Sequence, residues 1–493
     1  MGGMTRAISS LFALCLLVTP VAVQAQTPAD QPTTIVCGSK TGERRVCAAN
    51  TSGGVTLVKT LGTATCERGR TWGYDASGVW VSDGCAAEFS VTSKASSKFG
   101  RYTPMVGLTV ADTNQGALTI RLFTYLRYLN QRGTDPTYTN AFGQTSDVQQ
   151  RVDVQLNKMQ IYFMGWLMSP KFRYLAYVWT SNSSLGTTSQ VVVAGNLKYA
   201  FNDLLTLGAG INALPGVRST SGTFPFWLAV DTRLIADEFF RPSYTTGIWA
   251  EGTVGKGLTY TAMLGNNLSQ FGIDAGQLDP GLDTFSGELA WTTGEFGKGF
   301  GDFQPHAKVA TRLAGHYTRS DESRQGQPNN DAFDNVQIRV SDGTVIFAPG
   351  AFAPDVQIEN ATYHLLGVDA AIKYRGFSLE GELYRRRVDN FSVRGEGTLP
   401  FSELNDTGFQ VQASAMVVPG QLQVYAGASK VYGEYGEPSD VRVGATYFPW
   451  KNEVVKWNVE YLHLNRSPVG ALSLPYNVGS NGGVFHTNFM VWF

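Results

Sequence analysis

From Ala213 to Tyr244 the chain reads ALPGVRSTSGTFPFWLAVDTRLIADEFFRPSY. Arg218, Arg233 and Arg241 share this stretch with Asp231, Asp237, Glu238 and a cluster of aromatic residues. It interrupts a succession of short segments that alternate between an apolar and a mixed face, the period-two pattern of a strand with two different sides. Two readings are open. Phe226 to Ile235 is one more strand with ragged ends, or the whole stretch is a loop, and strand parity decides between them.

Upstream, strand patterns run from Leu118 to Tyr128, Gln155 to Leu167, Phe172 to Thr180, Val191 to Ala200 and Leu204 to Asn212. Downstream they follow at Thr245–Val254, Leu258–Gly265, Phe285–Thr292, His306–Arg319, Tyr363–Tyr374, Phe377–Asp389, Gly408–Val418, Leu422–Val431, Val441–Phe448, Lys456–Leu464 and Phe485–Phe493. The total is sixteen if 213–244 is a loop and seventeen if it holds a strand. Bacterial single-chain membrane barrels have even strand numbers, with short turns at one end and longer loops at the other. With sixteen, tight turns such as Ser169-Pro170-Lys171, Gly255-Lys256-Gly257 and Val418-Pro419-Gly420 share one end. A seventeenth strand would exchange the two ends midway. The Gly-rich connection from Thr293 to Pro305 is the exception, a long segment at the tight-turn end. The chain is therefore expected to be all-β: a 16-stranded antiparallel transmembrane β-barrel over 116–493, with 213–244 as its third external loop. Phe485, Phe489 and Phe493 on one face of the last pattern agree with this.

A barrel of this size leaves an aqueous channel unless something fills it, so a loop folded inward is the natural constriction. Arg218, Asp231, Arg233, Asp237, Glu238 and Arg241 are its candidate lining residues, costly to bury without partners but solvated in a wet pore. The plainer alternative pairs Arg218 and Arg241 with loop acids. Alternation also turns basic residues inward along the wall: Arg121, Arg127, Lys158, Lys198, Arg312 and Arg442. A ladder of such residues favours anions. Glu251, Glu288, Asp369, Glu380, Glu382 and Glu460 share the inward phase, however, so salt bridges bracing the wall are an equal reading.

The composition fits an exported β-protein. The 55 glycines and 12% aromatic content suit many turns and interfacial girdles. A net charge of −1 supplies no bulk attraction for nucleic acid. Arg6, the apolar run Ile8–Val18 and Val23-Gln24-Ala25 read as a signal peptide over residues 1–25, whose removal takes Cys15 with it. A spacer occupies 26–34. A compact module over 35–90 then holds Cys37, Cys47, Cys66 and Cys85, an even number that reads as two disulfides with three possible pairings. The segment has no CxxC and no His, which argues against zinc; no metal or cofactor is expected. Residues 91–115 read as a linker.

The module's ending, GVWVSDGCAAEF from Gly78 to Phe89, with Trp72-Gly73-Tyr74-Asp75 before it, resembles a small secreted bacterial module of unknown function. Over the remainder, RLFTYLRYLNQ (121–131), ADEFFRPSY (236–244) and FPWKNEVVKWN (448–458) resemble the phosphate-selective porin family, porins O and P. That resemblance implies an outer-membrane porin, usually a homotrimer, with an inward-folded third loop and passive diffusion of small solutes, anions among them. The family's phosphate-selective members carry a lysine cluster at the constriction, whereas 213–244 contains no Lys.

Two other functions are conceivable. A barrel phospholipase needs Ser, His and a polar orienting group together, and the histidines here lie on separate strands, so an enzyme is not expected. A receptor or adhesion scaffold would act through its external loops, especially Ser320 to Ala361. Topology puts the cysteine module in the periplasm, where cell-wall contact is one conceivable role.

Overall fold

The computed structural model describes residues 32–49, 51, 54–75, 77–92, 100–181, 190–268, 281–324, 338–470 and 474–493. The expected signal peptide, most of the spacer and part of the linker lie outside the described residues. The chain divides into two compact units, 1–97 and 98–493.

In the first unit, strands Pro32–Gly38, Ala86–Thr92 and Val55–Thr60 form one antiparallel sheet, with Ala86–Thr92 in the middle. Arg44–Cys47, Gly78–Ser82 and Trp72–Asp75 form a second. Val79, Val81, Phe89, Val91 and Trp72 fill the small core between them. The pairing left open by the sequence is Cys37–Cys47 and Cys66–Cys85, closing separations of 10 and 19 residues.

The second unit is a closed barrel of sixteen antiparallel strands among the described residues. They are β1 (Gly116–Thr134), β2 (Val152–Leu167), β3 (Ser169–Ser181), β4 (Gln190–Asn202), β5 (Leu205–Ala213), β6 (Tyr244–Gly255), β7 (Leu258–Gly265) and β8 (Thr284–Thr293). β9 (Ala310–Ser323), β10 (Gln357–Tyr374), β11 (Phe377–Arg394), β12 (Leu404–Val418), β13 (Leu422–Tyr432), β14 (Ser439–Tyr447), β15 (Val455–Asn465) and β16 (Gly482–Trp492) follow. Each pairs with its sequence neighbour, and β16 pairs with β1 from Gly482↔Thr134 to Trp492↔Phe123, so no edge is left open. Below that seam two short strands, Arg101–Thr103 and Gly107–Asp112, continue the wall against the start of β1, within the stretch expected as linker.

Alternation runs along most of each longer strand, broken by bulges such as that between Leu156 and Lys158 of β2. Leu366, Val368 and Ile372 of β10 are exposed outside while Leu365, Asp369 and Lys373 are buried inside. Exposed aromatic side chains gather near the tight turns, among them Phe201, Trp291, Phe377, Tyr447, Trp450 and Trp457. No helix among the described residues is long and apolar enough to cross a membrane.

Residues 214–243 do not form a strand. They fold into the barrel, closed at the base by a Leu214 N–H donated to the Ser243 carbonyl at 2.8 Å. They contain one feature absent from the sequence reading, the short helix α1 (Ile235–Phe240). Its first two N–H groups are satisfied from the wall: Ile235 N donates to Asp440 Oδ2 at 3.2 Å and Ala236 N to Ser429 Oγ at 3.0 Å. Acids at Asp237 and Glu238 suit the positive end of the helix. Phe240 stacks on Tyr384 of β11 at 4.8 Å and lies over Gly408 of β12, where an added Cβ would come within 2.5 Å of its ring.

The connection between β8 and β9 resolves the exception noted in the sequence. Residues 294–309 also turn inward: Phe296 is buried, and the Phe300 N–H donates to the Phe226 carbonyl of the third loop at 2.7 Å. From the other end, residues 338–347 bring Ile338, Val340, Ile346 and Phe347 into the same apolar cluster as α1, with Val469, Leu474 and Tyr476 beside them.

Candidate functional site

The site that the sequence pointed to is the third loop and the inner wall it meets. All six charged loop residues are buried, none more than 7% exposed. The expectation that water solvates them is thus replaced by a set of protein partners. Arg241 donates to both oxygens of Glu238, at 2.6 and 2.5 Å. Arg233 lies over the Trp227 ring at 4.1 Å and donates to Ser219 Oγ at 3.0 Å and Glu238 Oε2 at 3.4 Å. Ser219 in turn donates to Asp237 at 2.7 Å. Burial pushes the Asp237 carboxyl above the ordinary range, with Glu238 adding to the effect and Arg233 opposing it.

The other two loop charges reach the wall. Asp231 accepts from Lys158 Nζ of β2 and from the Tyr125 hydroxyl of β1, both at 2.7 Å. Arg218 faces Glu380 of β11 at 3.3 Å and donates to the carbonyls of Lys298 and Gly299 at 3.2 and 3.3 Å. Its guanidinium also packs 4.9 Å from the Phe300 ring centroid. A cavity beside it is lined by Arg218, Phe300, Asp369, Glu380, Glu382 and Gln410, among others. One arginine therefore ties together the third loop, the wall and the inward-turned β8–β9 connection. Sequence reading missed that arrangement, because nothing local links Arg218 to a partner about 160 positions away.

The wall bases divide into two groups. Arg127 donates to Asn488 at 2.9 Å, Arg312 to Asp369 at 2.8 Å and Glu288 at 3.1 Å, and Arg442 to the Thr232 carbonyl at 3.1 Å. These three and Lys158 are buried. Arg121 and Lys198 keep contact with solvent. Arg121 donates to the Val106 carbonyl at 3.0 Å and lies over Trp492, whereas Lys198 meets both oxygens of Glu251 at 2.9 and 3.0 Å. The structure thus brings both sequence alternatives together: inward bases, and the acids that brace them. Among the described residues no cluster of three or more His, Cys, Asp or Glu side chains could hold a metal ion.

Comparison with known proteins completes the description. Residues 19–89 match a family model described as a protein of unknown function (DUF3011). No curated protein matches the chain. The fold is similar to OmpT of Vibrio cholerae, at 10% identity and a TM-score of 0.45, covering 78% of this chain and 99% of that one. It is similar also to Salmonella typhi OmpF in complex with daunomycin, at 14% identity, a TM-score of 0.45 and coverage of 78% and 100%. An anion-selective porin from Comamonas acidovorans resembles it at 11% identity, a TM-score of 0.45 and coverage of 77% and 100%.

Proposed function

We propose that this protein is an outer-membrane porin through which small hydrophilic solutes, anions preferred, diffuse passively. The observation that carries the reading is the barrel itself. Sixteen strands close on themselves with apolar residues outside and charged and amide residues inside, and a charged loop folds into the lumen. In hydrocarbon every backbone polar group must find a partner, and a closed barrel is the strand solution to that requirement. The third loop, with Arg218, Asp231, Arg233, Asp237, Glu238 and Arg241, narrows the lumen by filling it. Phosphate specificity is left out of the proposal, because that loop has arginines and acids and no lysine. A homotrimer is the assembly expected of such a barrel. With the tight turns at the periplasmic end, β1 starts there, and the four-cysteine module belongs to the periplasm, where cell-wall contact is its suggested role.

A second reading, a receptor or adhesion scaffold, is favoured by one observation. Phe142, Phe352, Phe401 and Tyr435 from four different external loops, with Phe391 near the end of β11, pack ring against ring at 5.0–5.9 Å over the barrel mouth. The full-length protein in a planar bilayer separates the two. Stepwise conductance with a chloride-favouring reversal potential under a salt gradient supports the porin, and added phosphate tests its specialised form. A cation-favouring potential would sink the anion preference. No conductance at all would favour the scaffold.

A further inference from the structure

The buried state of the third loop raises the question of where a solute meets charge. On the wall, side-chain exposure falls to 7% at Lys158, 8% at Arg312 and 2% at Arg442, but stands at 28% for Lys198 and 33% for Glu251. Towards the tight-turn end the inward positions around this pair are also open to solvent. Tyr162, Trp166, Tyr177, Asn196, Thr206 and Thr261 are partly exposed, whereas farther along the same strands Gln160, Trp179, Val192 and Ala194 are buried, and the inward faces of β11 to β15 are closed by α1 and the loops.

The register identifies what else faces this tract. Trp166 of β2 pairs with Arg173 of β3, Arg173 with Lys198 of β4, Lys198 with Gly208 of β5, and Gly208 with Trp249 of β6. Directly paired residues share a face, so Arg173 points inward with Lys198, although its strand is aromatic on both sides. Arg173 is exposed, and its Nε donates to the Pro170 carbonyl at 3.2 Å. Among the described residues no carboxylate lies within ion-pair distance of it. Gly208 is required here, since a Cβ would lie 2.2 Å from the Trp249 ring that covers it. That ring supports Lys198, whose Nζ is 5.4 Å from its centroid, while Glu251 holds the ammonium.

Resting on the pore reading, we propose that the solute route opens at the tight-turn end of the β2 to β6 wall and that Arg173 and Lys198 form its site for small inorganic anions. Arg173 offers an unneutralised guanidinium near the tight-turn mouth. Lys198 is the next station, where an arriving anion competes with Glu251 for the ammonium. The third loop bounds the route; its own arginines are occupied.

The test has two arms on the full-length protein. Cysteine substitutions Arg173→Cys, Lys198→Cys and Arg442→Cys are exposed to a membrane-impermeant charged thiol reagent, the four module cysteines being held in disulfides. Rapid labelling at 173 and 198 with protection at 442 is the expected pattern, and equal protection at all three overturns the route. In the bilayer, Arg173→Gln and Lys198→Gln should each lower the chloride-to-potassium permeability ratio about sevenfold, and Glu251→Gln should raise it by a similar factor, since one unit charge at about 7 Å through water shifts the two ions by about RT each in opposite directions. Unchanged ratios in conducting variants overturn the anion site. Labelling at 173 and 198 without conductance in the unsubstituted protein would instead overturn the pore reading and leave the wetted tract standing.

Discussion

Arg241 and Glu238 lie three residues apart on α1 and its cap, 1% and 6% exposed, and meet through two parallel N–H···O bonds of 2.6 and 2.5 Å. A buried pair of this kind adds little net stability against an apolar replacement, because both ions were taken out of water to form it. Removing one partner is a different matter. Glu238→Gln takes the shared carboxylate away from two guanidinium groups, those of Arg241 and Arg233, and should cost about 3–5 kcal/mol. The double substitution Glu238→Leu with Arg241→Met should cost less than the sum of Glu238→Leu and Arg241→Met made singly. Thermal unfolding of the four proteins measures the coupling. Additive losses would mean that the pair does not hold the loop.

Arg218 makes the second prediction. Its contacts with Glu380, with the Lys298 and Gly299 carbonyls and with Phe300 are the charged link between the third loop and residues 294–309. Arg218→Ala leaves Glu380 facing the cavity without that partner and frees both inward segments to move. On the porin reading, the substituted channel should pass a larger current per opening, by a factor of roughly two, with more frequent transitions between levels. That size follows if the two segments together block much of the lumen. Protease cleavage within 214–243 should also become faster than in the unsubstituted protein. A channel of unchanged conductance would show that these segments do not set the passage.

The sequence carries the strands and not the packing inside them. Alternation is a local property, so β10 and β11 could be read from Leu366, Val368 and Ile372, or Leu379 and Leu383, with no knowledge of their neighbours. Parity then makes 213–244 a loop. The helix within it was hidden because IADEFF is only six residues long, too short for a helical period to stand out. Its formation depends on Asp440 and Ser429, some 200 positions away. Burial of the loop charges was equally illegible, since Asp231 is neutralised from β2 and Arg218 from β11. The inward turn of 294–309 has the same origin, in contacts with Phe226 and Arg218. What could be read was that β3 is aromatic on both faces; the side Arg173 takes needed the register with Lys198.

Outside the strands, Tyr138 gives a pH prediction. Its hydroxyl donates to the Asp342 carbonyl at 2.6 Å, joining the β1–β2 loop to the β9–β10 loop. Partial burial, with the Asp342 carboxylate adding to it, pushes its pKa up to about 12. An unfolded tyrosine ionises near 10. The neutral phenol is therefore favoured in the folded loop. The stability this provides is fully present below about pH 10 and is lost as pH rises through about 12. The difference in phenolate absorbance between the native protein and Tyr138→Phe should titrate near 12. A midpoint near 10 would mean that the contact with residue 342 is not maintained.

The module's stability should rest on its cross-links more than on its core. Nine buried hydrophobic residues, Val79, Val81, Phe89, Val91 and Trp72 among them, form a small cluster in the module, and small exported domains supplement such cores with disulfides. Closing separations of 10 and 19 residues restricts the unfolded chain by roughly 3 kcal/mol per bridge in the loop-entropy account. The paired substitution Cys66→Ser with Cys85→Ser removes the longer closure and puts a hydroxyl at the buried Cys85 position, in the same cluster as Trp72 and Phe89. In the full-length protein it should make residues 32–92 sensitive to protease at a temperature where the unsubstituted module resists. The sixteen-stranded unit has its own hydrogen-bonded closure at β16 and β1 and should keep its heat-modified mobility unchanged. Digestion followed by gel mobility reads both at once. A module that remained resistant after losing the 66–85 bridge would show that its two small sheets hold each other without it.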